Sequence, residues 1–137
     1  MPNHWLLKTE PSVYSFDHLV KDGRTVWDGV KNNLALMHLR AMKAGDKVLI
    51  YHSGAAKEVV GYGKILKGPY PDPKLDDPKL VVVDMAPDAR LSHPVSLATI
   101  KADPVFADFA LVRMSRLSVM PVTPEQWKRL QTLEQRP

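Results

Sequence analysis

The sequence predicts one mixed α/β domain, a small, strongly curved sheet or barrel of mostly antiparallel strands with helices packed around it. Three observations carry that expectation. Runs rich in β-branched and aromatic residues ("HWLLK", "RTVW", "KVLIYHS", "EVVGYGKILKG", "KLVVVDM", "LVRMSRLSVMPV") outnumber the segments with helical periodicity. The junction between the third and fourth runs is "GAAK", the length of a hairpin and too short for a crossover. Strands and helices also fail to alternate at the spacing of a parallel βαβ repeat. No linker, sustained repeat or low-complexity tract divides residues 1–137, so they read as a single domain.

"HWLLK" opens as a strand and stops at Glu10-Pro11, because the residue before proline is driven to extended geometry and proline has no N–H for a ladder. Ser15 then caps the short helix "FDHLVKD", with Phe16, Leu19 and Val20 on one face and Gly23 as its stop. "RTVW" is the second strand, ended by Asp28-Gly29, and Asn32 or Asn33 is the N-cap of "LALMHLRAMK". Leu36, Leu39 and Met42 recur there at i+3 with Ala35 and Met37 flanking, and Gly45 is placed to end the helix. Paired Gly61 and Gly63 within the fourth run predict a bulge or a close backbone approach. "KGPYPDPKLDDPK" reads as a surface loop, and "PDARLSHPVSLATIKADPVFADF" as a loop with short helical pieces. "LVRMSRLSVMPV" reads as a final long strand. The capping box Thr123-Pro124-Glu125-Gln126 opens the last helix, with Trp127, Leu130 and Leu133 as its buried stripe.

Composition narrows the chemistry. A net charge of +4 and a pI of about 9.4 permit polyanion binding, but with 19 basic against 15 acidic residues and no Lys/Arg block, placement decides more than the sum. The absence of cysteine removes disulfides, thiolate nucleophiles and Cys-ligated zinc. No run approaches the roughly 20 apolar residues of a membrane span, and the first residues lack a secretory signal pattern, so a cytoplasmic protein is expected. The lack of an unmatched apolar helix face predicts a monomer. His4, His18, His38, His52 and His93 show no metal-ligand spacing, and no Walker A, G-x-G-x-x-G or G-x-S-x-G occurs. "YHSG" sets His52 beside Ser53 on opposite faces of a strand, the wrong arrangement for a base and its nucleophile. Neither metal nor cofactor, and no catalytic residue, is expected.

What remains is a concentration of polar and aromatic residues at strand ends: Lys8, Thr9 and Glu10; Trp27 and Asp28; Asn32 and Asn33; Tyr51, His52 and Ser53; Arg116 and Ser118. Each has a plainer role by itself. Trp27 alone reads as a core aromatic, Asn32 as a helix cap, His52 as a structural histidine, and Lys8 with Glu10 as an exposed pair.

Taken together, "WLLKTEP", "WDGVKNNLALMHLRAMKAGDKVLIYHS", "DPKLVVVDM" and "RLSVMPVTPEQW" closely resemble the EVE domain. That family is a branch of the PUA-like superfamily, which also includes YTH and ASCH domains. The resemblance runs in order from about Trp5 to about Leu130. It implies a PUA-like β-barrel surrounded by helices, and a non-enzymatic reader of nucleic acid, in particular of DNA carrying methylated or hydroxymethylated cytosine. A single flipped base would stack on Trp27, with Lys8, Thr9, Asn32, Tyr51, His52, Ser53, Leu117 and Ser118 as further pocket residues. Lys8, Lys31 and Arg116 would meet phosphates or the rim. Three alternatives stay open: an RNA reader of the YTH kind, an enzyme acting on a nucleobase or small amide with Glu10, His52 or Asp28 as general base, and a protein-interaction module. The intervals 69–79 and 88–109 match no motif of the family and receive no role.

Overall fold

The computed structural model describes residues 3–135. In chain order it comprises β1 (His4–Thr9), α1 (Phe16–Asp22), β2 (Thr25–Trp27), α2 (Asn33–Ala41), β3 (Lys47–His52), β4 (Glu58–Pro71), β5 (Val81–Ser96), α3 (Leu97–Lys101), α4 (Ala110–Arg113), β6 (Val119–Val122) and α5 (Pro124–Leu133), with a 3-10 turn at Pro104–Phe106. The strands form one six-stranded sheet in the order β2-β5-β4-β3-β1-β6. Every neighbouring pair is antiparallel except β1 with β3. That parallel pair needs a crossover, and the crossover carries α1, β2 and α2.

The expected barrel is corrected to an open sheet, because β2 and β6 end the strand order without pairing to each other. Its curvature has a local cause. β4 and β5 pair over their length with four register shifts, and each bulge adds twist. Gly61 and Gly63 lie at two of these shifts. A Cβ on Gly61 would run into the buried Phe16 ring, and one on Gly63 would lie 2.7 Å from Met85 Cε and 2.9 Å from the Ala86 carbonyl oxygen. The close approach at Gly61 is therefore what seats α1 on the sheet, while Gly63 admits Met85 and the Ala86 backbone.

Caps fall where local chemistry puts them. Ser15 Oγ accepts from His18 N at 3.1 Å, while Ser15 N donates to His18 Nδ1 at 2.9 Å. Asn32 Oδ1 accepts from Ala35 N at 3.0 Å, and Thr123 with Gln126 completes the box that starts α5. The core gathers Leu6, Leu7, Phe16, Leu36, Leu39, Leu49, Ile50, Phe106, Phe109 and Leu130. Val20 and Met37, expected on or beside buried faces, are exposed, and α2 ends at Ala41 with Met42 as C-cap while Gly45 serves the next turn at φ 94°.

Three other boundaries differ. "KGPYP" continues β4, so the loop shrinks to residues 72–80. β5 runs on to Ser96 through two prolines: Pro87 sits at a register shift opposite Gly63, and Pro94 lies in the stretch 91–94 that bulges out against the single Val60. Neither proline is asked for a regular ladder bond, which is why both are tolerated. "LVRMSRLSVMPV" splits into the end of α4, a turn, and β6, since an apolar run of this length does not by itself distinguish strand from helix.

Candidate functional site

The gap that keeps the sheet from closing is occupied by a cavity of about 500 Å³. One side comes from the end of β1 and the start of β6, through Lys8, Thr9 and Ser118; the other comes from the β2 edge and its exit loop, through Thr25, Trp27, Asp28 and Lys31. The curled sheet thus brings residues from its two edges to one space. The turn after β1 adds Glu10 and Tyr14. That turn is pinned: Val13 N and Tyr14 N both donate to the Glu10 carbonyl at 2.9 Å, and Thr9 Oγ1 donates to the Tyr14 carbonyl at 2.5 Å. Tyr14 OH donates to Asp22 at 2.8 Å, and burial pushes its phenol pKa up.

Trp27 ends β2 opposite Val83 of β5 and is 9% exposed, with the Tyr14 ring edge-on at 6.3 Å. Its strand is a three-residue edge, secured by a separate clamp. Arg24 pairs with Asp84 at 2.7 Å, and Tyr70 OH donates to the same carboxylate. The Tyr70 hydrogen bond, with Arg24 beside it, holds Asp84 below the usual carboxylate range, and Tyr70 is pushed up to about 12. Gly29, at φ 77°, then turns the chain toward α2 in a conformation that other residues rarely adopt.

Polar groups facing the cavity are only partly spoken for. Lys8 N donates to the Ser118 carbonyl at 2.9 Å, and its Nζ donates to the Ser115 carbonyl at 2.8 Å while lying over the Tyr51 ring. Burial pulls its pKa down. Glu10 Oε1 accepts from Ser12 N and Ser12 Oγ. The Trp27 indole N–H, the Asp28 carboxylate and the Lys31 ammonium have no partner among the described residues. A second cavity, of about 420 Å³, adjoins the first and is lined by Asn32, Arg116 and Leu117 together with Leu34, Arg113, Met114 and Ser115.

The EVE domain family model matches residues 3–133. The chain belongs to the EVE domain family. Protein Rpa0253 of Rhodopseudomonas palustris, solved by NMR, matches this EVE domain with a TM-score of 0.92 at 45% identity, covering 97% of this chain and 93% of that one. Human thymocyte nuclear protein 1 is 29% identical over 170 aligned positions, which cover 99% of this chain and 76% of that protein. The crystal structure of human THYN1 in complex with DNA containing 5-methylcytosine matches with a TM-score of 0.86 at 29% identity, covering 98% of this chain and 99% of that one.

Within this EVE domain the residues singled out from sequence fall into three groups. Lys8, Thr9, Trp27, Lys31 and Ser118 line the first cavity, and Asn32, Arg116 and Leu117 line the second. Tyr51, His52 and Ser53 line neither. Tyr51 is buried beneath Lys8, with its phenol pKa raised by that burial, and Ser53 N donates to the Thr9 carbonyl at 2.9 Å, extending the β1–β3 pairing. His52 Nε2 accepts the Phe16 N–H at 3.0 Å, and burial holds its pKa below the ordinary value. It caps α1 as an acceptor from outside both cavities. The Asn32 amide oxygen is likewise committed to Ala35 N.

Tyr14, Thr25, Val13 and Val26 also line the first cavity and were not anticipated. Thr25 was within reach, since two residues before Trp27 on a strand is the same face. Tyr14 was not, because its position depends on how the turn after Pro11 folds back.

Proposed function

We propose that this EVE domain is a non-enzymatic DNA reader that holds one extruded nucleobase, a modified cytosine, in the Trp27 cavity. The observation that carries the reading is an aromatic wall in a cavity whose nearby polar groups (Trp27 N–H, Asp28, Lys31) are left without protein partners. The volume of about 500 Å³ lies within the range of small-molecule pockets. The complex of human THYN1 with 5-methylcytosine-containing DNA supports the choice of partner.

The energetics are consistent with a reader. Extrusion costs a few kcal/mol, and stacking on an aromatic face returns about 1–3 kcal/mol. The remainder must come from polar contacts and from phosphates. Cytosine presents its exocyclic amine as a donor, which an acceptor-only carboxylate such as Asp28 matches; its ring nitrogen and carbonyl need donors, which Lys8 and Ser118 supply. A carboxylate facing a polyanion opposes binding unless it returns a specific hydrogen bond, so its presence here favours base reading over plain backbone attraction. Lys31 and Arg116 take backbone phosphates. A methyl group contributes only about 0.8 kcal/mol by burial, so preference for the methylated base through that contact is modest. No histidine lines the cavity, and of its two carboxylates Glu10 accepts from Ser12 while Asp28 is left free to accept from a base edge.

The test is titration of short duplexes bearing one cytosine, 5-methylcytosine or 5-hydroxymethylcytosine against the wild type and Trp27→Leu. Selective binding of a modified duplex, lost in the variant, is expected. Equal affinity for all duplexes in both proteins would overturn the reading, and tighter binding of matched RNA would move it to that partner.

A further inference from the structure

The second cavity differs from the first in charge. Glu10 and Asp28 line the first beside Lys8 and Lys31, whereas no carboxylate lines the second and two arginines do. A base edge needs both donors and acceptors; a phosphate needs only cations. Arg116 has no hydrogen-bond or ion-pair partner among the described residues. Arg113 is held only by a 3.2 Å pair with Asp108 in which both side chains are largely exposed, a contact easily given up. Between the two arginines Met114 is 45% exposed, and Leu34 supplies a second apolar contact.

The two cavities are also mechanically one unit. Lys31 and Ser118 line the first, while their chain neighbours Asn32 and Leu117 line the second, so the same two strips of backbone form the divide. The Lys8 ammonium donates to the Ser115 carbonyl at 2.8 Å, and Leu117 N donates to the Met114 carbonyl at 3.0 Å. The segment bearing Arg116 is thereby tied to β1, the strand that builds the base cavity. An extruded base draws its flanking phosphates to the cavity mouth, and the adjoining nucleotide must cross this divide or leave the surface.

We propose that the second cavity seats the nucleotide next to the extruded one, with Arg113 and Arg116 on its phosphate and Met114 and Leu34 against its sugar and base face. This rests on the base-reading function proposed above. Each phosphate neutralised on a duplex contributes about 0.9 to the slope of log affinity against log salt. The experiment measures that slope for a duplex with one 5-methylcytosine, using wild type, the double variant Arg113→Gln/Arg116→Gln, and the charge-matched control Lys64→Gln/Lys128→Gln, whose lysines line neither cavity.

The arginine variant is expected to lower the slope by about 0.9, for the one phosphate the two arginines share, while the ratio of affinities for modified and unmodified duplexes stays at the wild-type value. The control is expected to keep the wild-type slope. Met114→Ala is expected to weaken binding several-fold with no change of slope. An unchanged slope in the arginine variant, or an equal drop in the control, overturns the second cavity's role while leaving base reading intact if the wild type still discriminates. Absence of discrimination in the wild type is the separate failure of base reading itself.

Discussion

At the start of β1, Trp5 is 5% exposed and gives its indole N–H to Asp46 at 3.0 Å, and the same buried carboxylate accepts Asn3 N and Lys43 N at 3.0 Å each. Beyond the other end of β1, across the gap in the sheet, Trp27 is 9% exposed with no partner for its N–H, next to an unpaired aspartate and an unpaired lysine. The two tryptophans are almost equally buried. What separates them is whether the polar groups around them are satisfied from within the chain. A closed set has nothing left for a ligand; an open set is held by water and stays available to one. Fraction buried therefore does not separate the two tryptophans, and the hydrogen-bond account does.

The contrast breaks most visibly at the closed end. Asp46→Ala leaves three donors without their acceptor, each costing about 1–3 kcal/mol, so urea unfolding should show a loss of about 3 kcal/mol or more. DNA affinity per folded molecule should stay at the wild-type level, and a selective loss of binding would show that the two ends are not independent. Trp27→Leu inverts the pattern. Binding of a modified duplex should fall by about 1–3 kcal/mol, roughly 5- to 150-fold, with a smaller stability change than Asp46→Ala. Asp28→Asn sharpens it further: removing a charge that opposes phosphates should raise affinity for every duplex, while the preference for cytosine over thymine at the probed site should fall by about 1 kcal/mol, with no shift in melting temperature.

The smallest effect is set by pH. Burial holds His4, His38 and His52 below the ordinary 6.5. For a base with a depressed folded pKa, the unfolded chain binds the proton more readily, so the stability contribution is whole above 6.5 and is lost as pH falls toward the folded values. Melting temperature should decline between neutral pH and about pH 5, and less steeply in His52→Gln, which keeps an acceptor for Phe16 N–H but does not titrate. None of the three histidines lines either cavity, so binding by the folded protein should not follow the same curve.

Much of the fold was legible because it is decided within a few residues. Ser15, Asn32 and Thr123 cap helices through hydrogen bonds to N–H groups three positions on, and Gly61 signals a close approach wherever a side chain would not fit. The path of β5 through Pro87 and Pro94 was not legible, since a proline's tolerance depends on which partner residue faces it, and that is a matter of register. The exposure of Val20 and Met37 has the same origin: periodicity defines a face, but the neighbours present decide how much of it is covered.

For the site, the sequence determined the residue types at the strand ends and, through resemblance to EVE domains, singled out Trp27, Lys8, Thr9, Lys31 and Ser118, all of which line one cavity. Tertiary structure decided which strand ends meet. His52 and Ser53 lie beside Thr9 across the β1–β3 pair yet are used for the α1 cap and for pairing with β1. Tyr14, Thr25 and the arginines of the second cavity enter because the sheet curls and stops short of closure. The reason is physical: a cap or a turn is satisfied by neighbours in the chain, whereas a cavity exists only where distant segments converge and leave polar groups without a protein partner.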